Sequence, residues 1–233
     1  MRAVTEPADS PRRSAGAARR AVLWLVLAAL GGCISTEFEA KPTIPEPLVT
    51  KIPVVVGVYL SPQFRDEVFR EDREGGDYAI SLGKAQSDGF MRLMTAMFTR
   101  AVAVPSTDAG ARTDPEIRGV LEPVLLDFAF VTPAESGSGV YAVSIKYRIN
   151  GYRPDGQLVD SWTFTGYGSA ANEGMLPAGS ATLQRATALA MRDAGAKIAT
   201  EFREQAVVRG LLPDAGPPAQ PAEAAREVTA TPP

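Results

Sequence analysis

Alternation of apolar and polar residues near the centre of the chain is the feature that most restricts its fold. Apolar residues occupy alternate positions on both sides of a turn sequence, Arg153-Pro154-Asp155-Gly156: Tyr141, Val143, Ile145, Tyr147 and Ile149 before it, then Leu158, Trp162 and Phe164 after it. A period of two is typical of strands with one buried face and one wet face, and Pro, Asp and Gly favour turns. We therefore predict an antiparallel hairpin over residues 140–167.

The flanking segments predict further strands and two helices. Pro53 to Leu60 is a continuous apolar run rich in Val, as in a buried strand. Lys84 to Arg100 places five apolar residues on one helical face (Phe90, Leu93, Met94, Met97 and Phe98), and Ser180 to Val207 carries a similar alanine-rich stripe. Residues 101–104 predict a short strand, and residues 61–77 are charged and predict a loop or a short helix. Residues 117–131 are rich in strand-forming residues, but Pro123 predicts a bulge or an edge position there.

This order of elements predicts the fold class. We expect a single α+β domain with a mixed, mostly antiparallel sheet, a long C-terminal hairpin and two helices packed on one face of the sheet.

The first 32 residues have the composition of a secretory signal. Five arginines precede a ten-residue apolar run at residues 21–30, and small residues follow it. The run is half the roughly 20 residues needed to span a bilayer, so a permanent transmembrane helix is not expected. The alternative, a buried helix of a cytosolic protein, leaves the arginines unexplained.

The apolar run ends at Leu30-Gly31-Gly32-Cys33, which contains the only cysteine of the chain. These four residues resemble the lipobox of bacterial lipoproteins. The resemblance implies cleavage before Cys33 and attachment of three acyl chains, and two or more chains anchor a protein stably. Ile34 and Ser35, rather than an aspartate, follow the cysteine. The sorting rule of that family then implies the outer membrane, with the domain facing the periplasm and membrane lipid as its first partner.

The net charge of the chain argues against nucleic-acid binding and against electrostatic attraction to membranes. Without residues 1–32 the chain keeps 19 Lys and Arg and 25 Asp and Glu, a formal net charge of −6. Nucleic-acid binding needs a basic surface, so we expect no nucleic-acid partner. The acidic body is not attracted to anionic lipid, which leaves membrane attachment to the acyl chains.

Prolines mark both ends of the predicted domain. Residues 33–50 hold three prolines and no apolar period, so we expect a lipidated N terminus that continues as an extended tether with a reach of about 50 Å. Residues 213–233 are rich in Pro and Ala and are expected to be disordered. The predicted folded domain is residues 51–212, and residues 1–32 form the signal peptide that is removed.

Few residues are candidates for catalysis. Histidine is absent from the chain, which excludes Ser-His-Asp and Cys-His arrangements and zinc sites that contain histidine. Glu122, Asp127 and Asp160 lie in or beside predicted strands, where two carboxylates at the right separation would act on a glycosidic bond. The alternative is that these carboxylates are solvated or paired with Lys146 and Arg148. We expect no enzymatic activity and no metal.

Gly166-Tyr167-Gly168-Ser169-Ala170-Ala171 matches the pattern of a dinucleotide-binding loop. A parallel βαβ unit does not follow it, although such a loop requires one. We expect instead that the glycines end a strand where the backbone turns or approaches another segment closely. No cofactor is therefore expected.

The polar face of the predicted hairpin is the candidate interaction face. Lys146 and Arg148 lie on it, together with four hydroxyl residues: Ser144, Ser161, Thr163 and Thr165. Such a face would dock an acidic partner or a glycan, or simply face water. The aromatic residues of the opposite face (Tyr141, Tyr147, Trp162 and Phe164) are expected to form the core of the sheet rather than a ligand groove.

The lipobox, the tether and the order of elements from Val54 to Phe202 resemble small envelope lipoproteins with a YajG-like or penicillin-binding-protein-activator-like domain. This resemblance implies a non-enzymatic accessory or assembly role, exercised through an envelope protein partner or self-association. Two alternatives stay open: a glycan- or lipid-binding module, and a carboxylate-dependent cell-wall hydrolase. The resemblance assigns a role to no residue except Cys33.

Overall fold

The computed structural model describes residues 35–41, 44, 46–73, 76–111, 114–171 and 179–208. The strands are β1 (Ser35–Glu39), β2 (Ile52–Val58), β3 (Val68–Arg73), β4 (Gly76–Ser81), β5 (Phe98–Ala103), β6 (Ile117–Val131), β7 (Val140–Tyr152) and β8 (Leu158–Ala171). The helices are α1 (Pro62–Arg65), α2 (Gly83–Met97), α3 (Pro133–Ser136) and α4 (Gly179–Val208), with a 3₁₀ turn at Ala109–Ala111. The predicted signal peptide, Cys33 and the predicted tail at residues 213–233 lie outside the described residues.

Two mixed sheets form one α+β domain, which confirms the predicted fold class. The main sheet has the order β5-β2-β6-β7-β8. In it β2 is parallel to β5 and β6, whereas β6, β7 and β8 are antiparallel neighbours. The smaller sheet has the order β1-β4-β3, with β4 parallel to β1 and antiparallel to β3. The strands are therefore divided between two sheets, where the sequence predicts one.

The predicted hairpin is confirmed as β7 and β8. Its turn is closed by the Gly156 amide, which donates to the Arg153 carbonyl at 3.0 Å, and Gly156 has a φ of +88°, which favours glycine. Leu158 is the exception to the predicted pattern, because it is 53% exposed. The register shifts between Gly151 and Tyr152, and this irregularity places Leu158 beyond the regular alternation.

Of the bulge or edge position that Pro123 predicts, the structure shows an edge position. The Tyr59 amide donates to the Leu121 carbonyl, and β2 provides no partner beyond that point. Alternate residues of a strand face the same neighbouring strand, so Pro123 faces the same side as Leu121. At that position β2 has already ended, and the missing N–H of Pro123 therefore costs no hydrogen bond between strands. A bulge follows at Leu126, between Leu125 and Asp127. Pro123 therefore lies at a local edge within an interior strand.

Helices α1, α2 and α4 cover one face of the main sheet. Phe64 of α1 and Phe90 of α2 pack edge-on against Tyr147 of β7, with ring centroids 6.2 and 5.0 Å away. Helix α4 crosses β8 at two glycines: a Cβ added at Gly166 would lie 2.1 Å from the Ala190 carbonyl oxygen, and one at Gly168 would lie 2.2 Å from the Ala186 carbonyl oxygen. The expectation that these glycines permit a close backbone approach is confirmed. Both lie inside β8 rather than at its end.

The smaller sheet was not expected from the sequence. Residues 61–77 form α1, then β3 and the start of β4, so the prediction of a loop or short helix is wrong for the strands. Aromatic contacts with the end of β6 hold this sheet in place: the Phe69 ring lies 4.9 Å from Phe128, and Tyr78 lies 4.8 Å from Phe130. Arg73 places its guanidinium 3.9 Å from the centre of the Phe130 ring. These partners are distant in sequence, so local propensity does not reveal the strands.

The predicted tether is also wrong for the part of residues 33–50 that the structure describes. Strand β1 pairs with β4, and the Glu39 carbonyl accepts a hydrogen bond from Gln184 of α4 at 2.6 Å. Ala40 and Ile44 are only 3% and 2% exposed. The folded domain therefore begins at or before Ser35, not at Lys51, because isolated apolar residues of this segment fill gaps between distant elements.

None of the described helices, α4 included, combines the length and apolar composition needed to cross a bilayer.

Candidate functional site

The face of the main sheet opposite the helices is the candidate site, and we refer to it as the open face. Its polar side chains come from alternate positions of three neighbouring strands: Glu122 and Asp127 of β6; Ser144, Lys146, Arg148, Asn150 and Tyr152 of β7; Ser161, Thr163, Thr165, Tyr167 and Ser169 of β8. The same face carries four small or apolar residues: Val124, Ala129, Val131 and Ala142. Helices α1, α2 and α4 pack on the other face through Tyr147, Phe164 and their neighbours. Lys146, Thr163 and Tyr167 of the open face are exposed to solvent, whereas Arg148 is half-buried and Asn150 is buried.

The register brings together the polar residues that the sequence predicts. Arg148 lies opposite Thr163, and Lys146 lies opposite Thr165. Lys146 also lies opposite Asp127 on its other side. Because the strand period is two, a single hairpin register is enough to place all of these side chains on one face. The predicted interaction face is therefore a real surface of the molecule.

Charge on the open face is sorted by strand. The carboxylates Glu122 and Asp127 belong to β6, the cations Lys146 and Arg148 belong to β7, and β8 contributes hydroxyl groups. Neighbouring strands lie about 4.8 Å apart. The face thus changes from acidic through basic to neutral over about 10 Å.

A hydrogen-bond network occupies one end of the open face. Glu122 accepts hydrogen bonds from the Tyr152 hydroxyl at 2.7 Å and from the Asn150 amide at 3.0 Å. Burial and the hydrogen bond to Glu122 raise the pKa of Tyr152 to about 12. Glu122 therefore already has two donors within the protein. The sequence pattern did not single out this network, because Asn150 and Tyr152 read only as ordinary members of the alternation.

The two cations lack such partners. Among the described residues, neither Lys146 nor Arg148 has a carboxylate within 4.0 Å. The Nε atom of Arg148 is buried and has no hydrogen-bond partner in the described part of the chain. Buried donors are usually paired, and an unpaired one costs about 1–3 kcal/mol.

The candidate catalytic carboxylates are not brought together. Asp127 lies opposite Lys146, whereas Asp160 lies opposite Gly151. Lys146 and Gly151 are five residues apart on β7, so the two carboxylates are separated by about 17 Å along the strand direction, at 3.4 Å per residue. Glu122 shares the face of Asp127 but is four β7 positions away, about 14 Å. Glycosidases hold their two carboxylates about 5–9.5 Å apart. Glu122 lies opposite Asn150 and Asp160 lies opposite Gly151, which are adjacent positions of β7, so these two carboxylates leave opposite faces of the sheet. None of the three pairs therefore has the arrangement of a glycosidase.

The predicted aromatic core is confirmed for three of its four members. Tyr147, Trp162 and Phe164 are at most 3% exposed, and Tyr141 is partly buried against the same core. The Tyr147 hydroxyl donates to Gln86 of α2 at 3.3 Å, and burial raises the pKa of Tyr147. These rings pack against the helices as part of the core.

Within the described ranges, no group of three or more acidic or thiol side chains is arranged to hold a metal ion.

Side chains of α4 pair with two backbone groups at the outer edge of β8. Lys197 donates from Nζ to the Thr165 carbonyl at 2.8 Å, and Asp193 accepts from the Tyr167 amide at 2.9 Å. The two side chains also form an ion pair of 2.8 Å, and the Lys197 hydrogen bond lowers the pKa of Asp193. These two edge groups are therefore already paired within the protein.

Comparison with known proteins yields structures only. No family model and no curated protein matches the chain. Among solved structures, a Xanthomonas campestris protein of the DUF330 family is 13% identical, with a TM-score of 0.41, over 77% of this chain and 96% of its own. A minor lipoprotein of Acinetobacter baumannii is 10% identical, with a TM-score of 0.41, over 72% of this chain and 100% of its own.

A third structure, a provisionally assigned lipoprotein of Caulobacter crescentus CB15, is 13% identical with a TM-score of 0.33, over 42% of this chain and 74% of its own. All three TM-scores are below 0.5, so these similarities assign neither a family nor an activity. The function is inferred from the residues of this chain.

Proposed function

We propose that this chain is a lipid-anchored lipoprotein of the outer membrane with a non-enzymatic accessory or assembly role. The domain faces the periplasm and binds an envelope protein through the open face. The observation that carries the proposal is the open face itself: a polar surface with two cations that have no carboxylate partner among the described residues, on a sheet whose opposite face packs against the helices. A rigid sheet presents such side chains in a defined arrangement, which suits recognition.

The start of β1 supports attachment close to the membrane. Ser35 is only two residues after Cys33, a distance of at most about 7 Å along the chain. Strand β1 is in turn held between β4 and α4. An acyl group on Cys33 would therefore hold the smaller sheet near the lipid surface, rather than at the end of a long tether.

Replacement of Cys33 tests the anchor. In cells that express Cys33→Ala, we expect no incorporation of labelled palmitate into the protein and accumulation of the uncleaved precursor. Ser35→Ala, a small change two residues away, is the matched control and should be labelled normally. Palmitate that still enters the Cys33→Ala protein would refute the assignment.

Site-specific photocrosslinking tests the use of the open face. A photoreactive amino acid at Thr163 in β8 lies on the open face, whereas the same group at Arg92 lies on the exposed side of α2. We expect a discrete protein adduct from position 163 and not from position 92. Adducts of equal yield from both positions, or none from position 163, would contradict docking through this face.

The second candidate is a glycan- or lipid-binding module. It is favoured by the row of hydroxyls on β8 and by Tyr167, which is 63% exposed beside them. Pelleting with peptidoglycan or with lipid vesicles distinguishes this role from protein docking. Retention in the pellet that is lost in Lys146→Ala/Arg148→Ala would favour the module over the protein-docking role.

A further inference from the structure

The spacing of Lys146 and Arg148 along β7 sets the distance between the two negative charges of a ligand that binds both. Lys146 and Arg148 are two residues apart on the same face of one strand, so their Cα atoms are separated by about 7 Å. Side chains at alternate positions of any extended peptide repeat at the same distance. Two acidic side chains of an extended segment that runs along β7 would therefore meet both cations in register.

Arg148 adds a geometric requirement. Its guanidinium matches the two oxygens of a carboxylate through parallel N–H bonds. The Nε of Arg148 is buried, so a partner carboxylate would pair with the terminal Nη groups. The nearby Glu122 does not pair with Arg148, since it accepts from Tyr152 and Asn150 instead.

The remaining charges decide which side of β7 the partner occupies. Asp127 on β6 would repel an acidic segment, whereas Thr163 and Thr165 on β8 offer hydroxyl donors directly beside the cations. The favourable path therefore follows β7 and β8 and stays away from β6.

From this arrangement we infer that the open face binds an extended acidic segment of a partner protein, with carboxylates at alternate positions pairing with Lys146 and Arg148. This inference rests on the proposed function, of which it specifies the partner chemistry. Exposed cations on a flat surface also attract anionic lipid, and hydroxyl rows also suit glycans. Those two ligands serve as competing outcomes in the experiment.

The test uses the mature full-length protein in detergent and a defined probe. The probe is a fluorescent peptide of about twelve residues that alternates Glu with Thr, and its counterpart carries Gln in place of Glu. Fluorescence anisotropy measures the affinity at low salt and at physiological salt. We expect saturable binding of the Glu peptide that weakens with salt, and no binding of the Gln peptide.

Matched variants separate the site from general electrostatics. Lys146→Gln/Arg148→Gln should weaken binding at least about tenfold, since a hydrogen bond to a charged group contributes roughly 1.5–3 kcal/mol. Arg92→Gln/Arg192→Gln removes the same charge from exposed positions of α2 and α4 and should leave the affinity within about twofold. Asp127→Asn should tighten binding by about twofold to threefold, because it removes the repulsive carboxylate.

The variant Arg148→Lys keeps the positive charge but loses the two parallel N–H donors of the guanidinium. Its affinity for the peptide should therefore lie between those of the unchanged protein and the double variant. Circular dichroism of each variant, compared with the unchanged protein, checks that the fold is retained.

Three results would overturn the inference: equal loss in both double variants, no saturable binding of the Glu peptide, or tighter binding to phosphatidylglycerol vesicles or peptidoglycan than to the peptide. If the peptide does not bind while position 163 still crosslinks a protein, the acidic segment is wrong and the docking role stands. If both fail, the docking role is wrong as well.

Discussion

Ile44 offers a direct test of whether the N-terminal segment belongs to the folded domain. Its side chain is 2% exposed and lies between two glycines on different helices. A Cβ added at Gly89 of α2 would lie 2.7 Å from the Ile44 Cδ1 atom, and one at Gly195 of α4 would lie 2.6 Å from its Cγ2 atom. Both helices therefore leave room for this one side chain.

Replacement of Ile44 by Ala should lower the free energy of unfolding by about 3 kcal/mol. Three buried carbon atoms are lost, at about 0.8 kcal/mol each, or about 2.4 kcal/mol. Incomplete closure of the space between α2 and α4 adds a cavity contribution, within the 2–5 kcal/mol range typical of such truncations. Leu48, in the same segment, is fully exposed, so Leu48→Ala should change the free energy by less than about 0.5 kcal/mol.

Urea unfolding of residues 34–233 measures both variants. Trp162 is the only tryptophan of that fragment, and it is buried against Phe202 with ring centroids 4.8 Å apart, so its fluorescence reports on the core. A free tether would make the two variants equivalent. Equal unfolding midpoints for Ile44→Ala and Leu48→Ala would therefore refute the docked arrangement.

Three further predictions follow from other contacts. Gly168→Ala should destabilise the domain by about 1–3 kcal/mol in urea unfolding, because its Cβ would meet backbone atoms of α4, whereas Gly110→Ala has open space and serves as the control. Glu122→Gln should lower the pKa of Tyr152 from about 12, while burial keeps this pKa above the usual value, as NMR titration of labelled tyrosine would measure. The pKa of Tyr152 is higher in the folded than in the unfolded protein. The stability that Tyr152 contributes is therefore complete below about pH 10 and is lost as the pH rises towards 12. Lys197→Ala should increase self-association in light scattering, because it frees the Thr165 carbonyl at the edge of β8; a protein that stays monomeric would contradict this role.

Local patterns in the sequence predicted the elements whose partners are adjacent in the chain. The hairpin of β7 and β8 has a short turn and a period of two, so its two faces followed from the residues, except at Leu158 beside the register shift. Helix α2 followed in the same way from apolar residues at helical spacing. The position of Lys146 and Arg148 on one polar face was therefore predictable.

Elements held by distant partners were not predictable. Strand β3 carries four charged residues among six and is recognisable as a strand only through contacts such as Phe69 with Phe128. The Glu122 network was missed for a related reason: it joins β6 to β7 through side chains that have no shared sequence motif.

The amino-acid sequence by itself determined the α+β class, the hairpin and the polar face, since these depend on the period of apolar residues along short stretches. The tertiary structure alone decided that residues near the N terminus pack into the domain, because Ile44 gains its stability from Gly89 and Gly195, 45 and 151 positions further along the chain. It also decided that Arg148 keeps a buried donor without a partner. These features depend on contacts between residues that are distant in sequence, and the local pattern of apolar and polar residues does not specify such contacts.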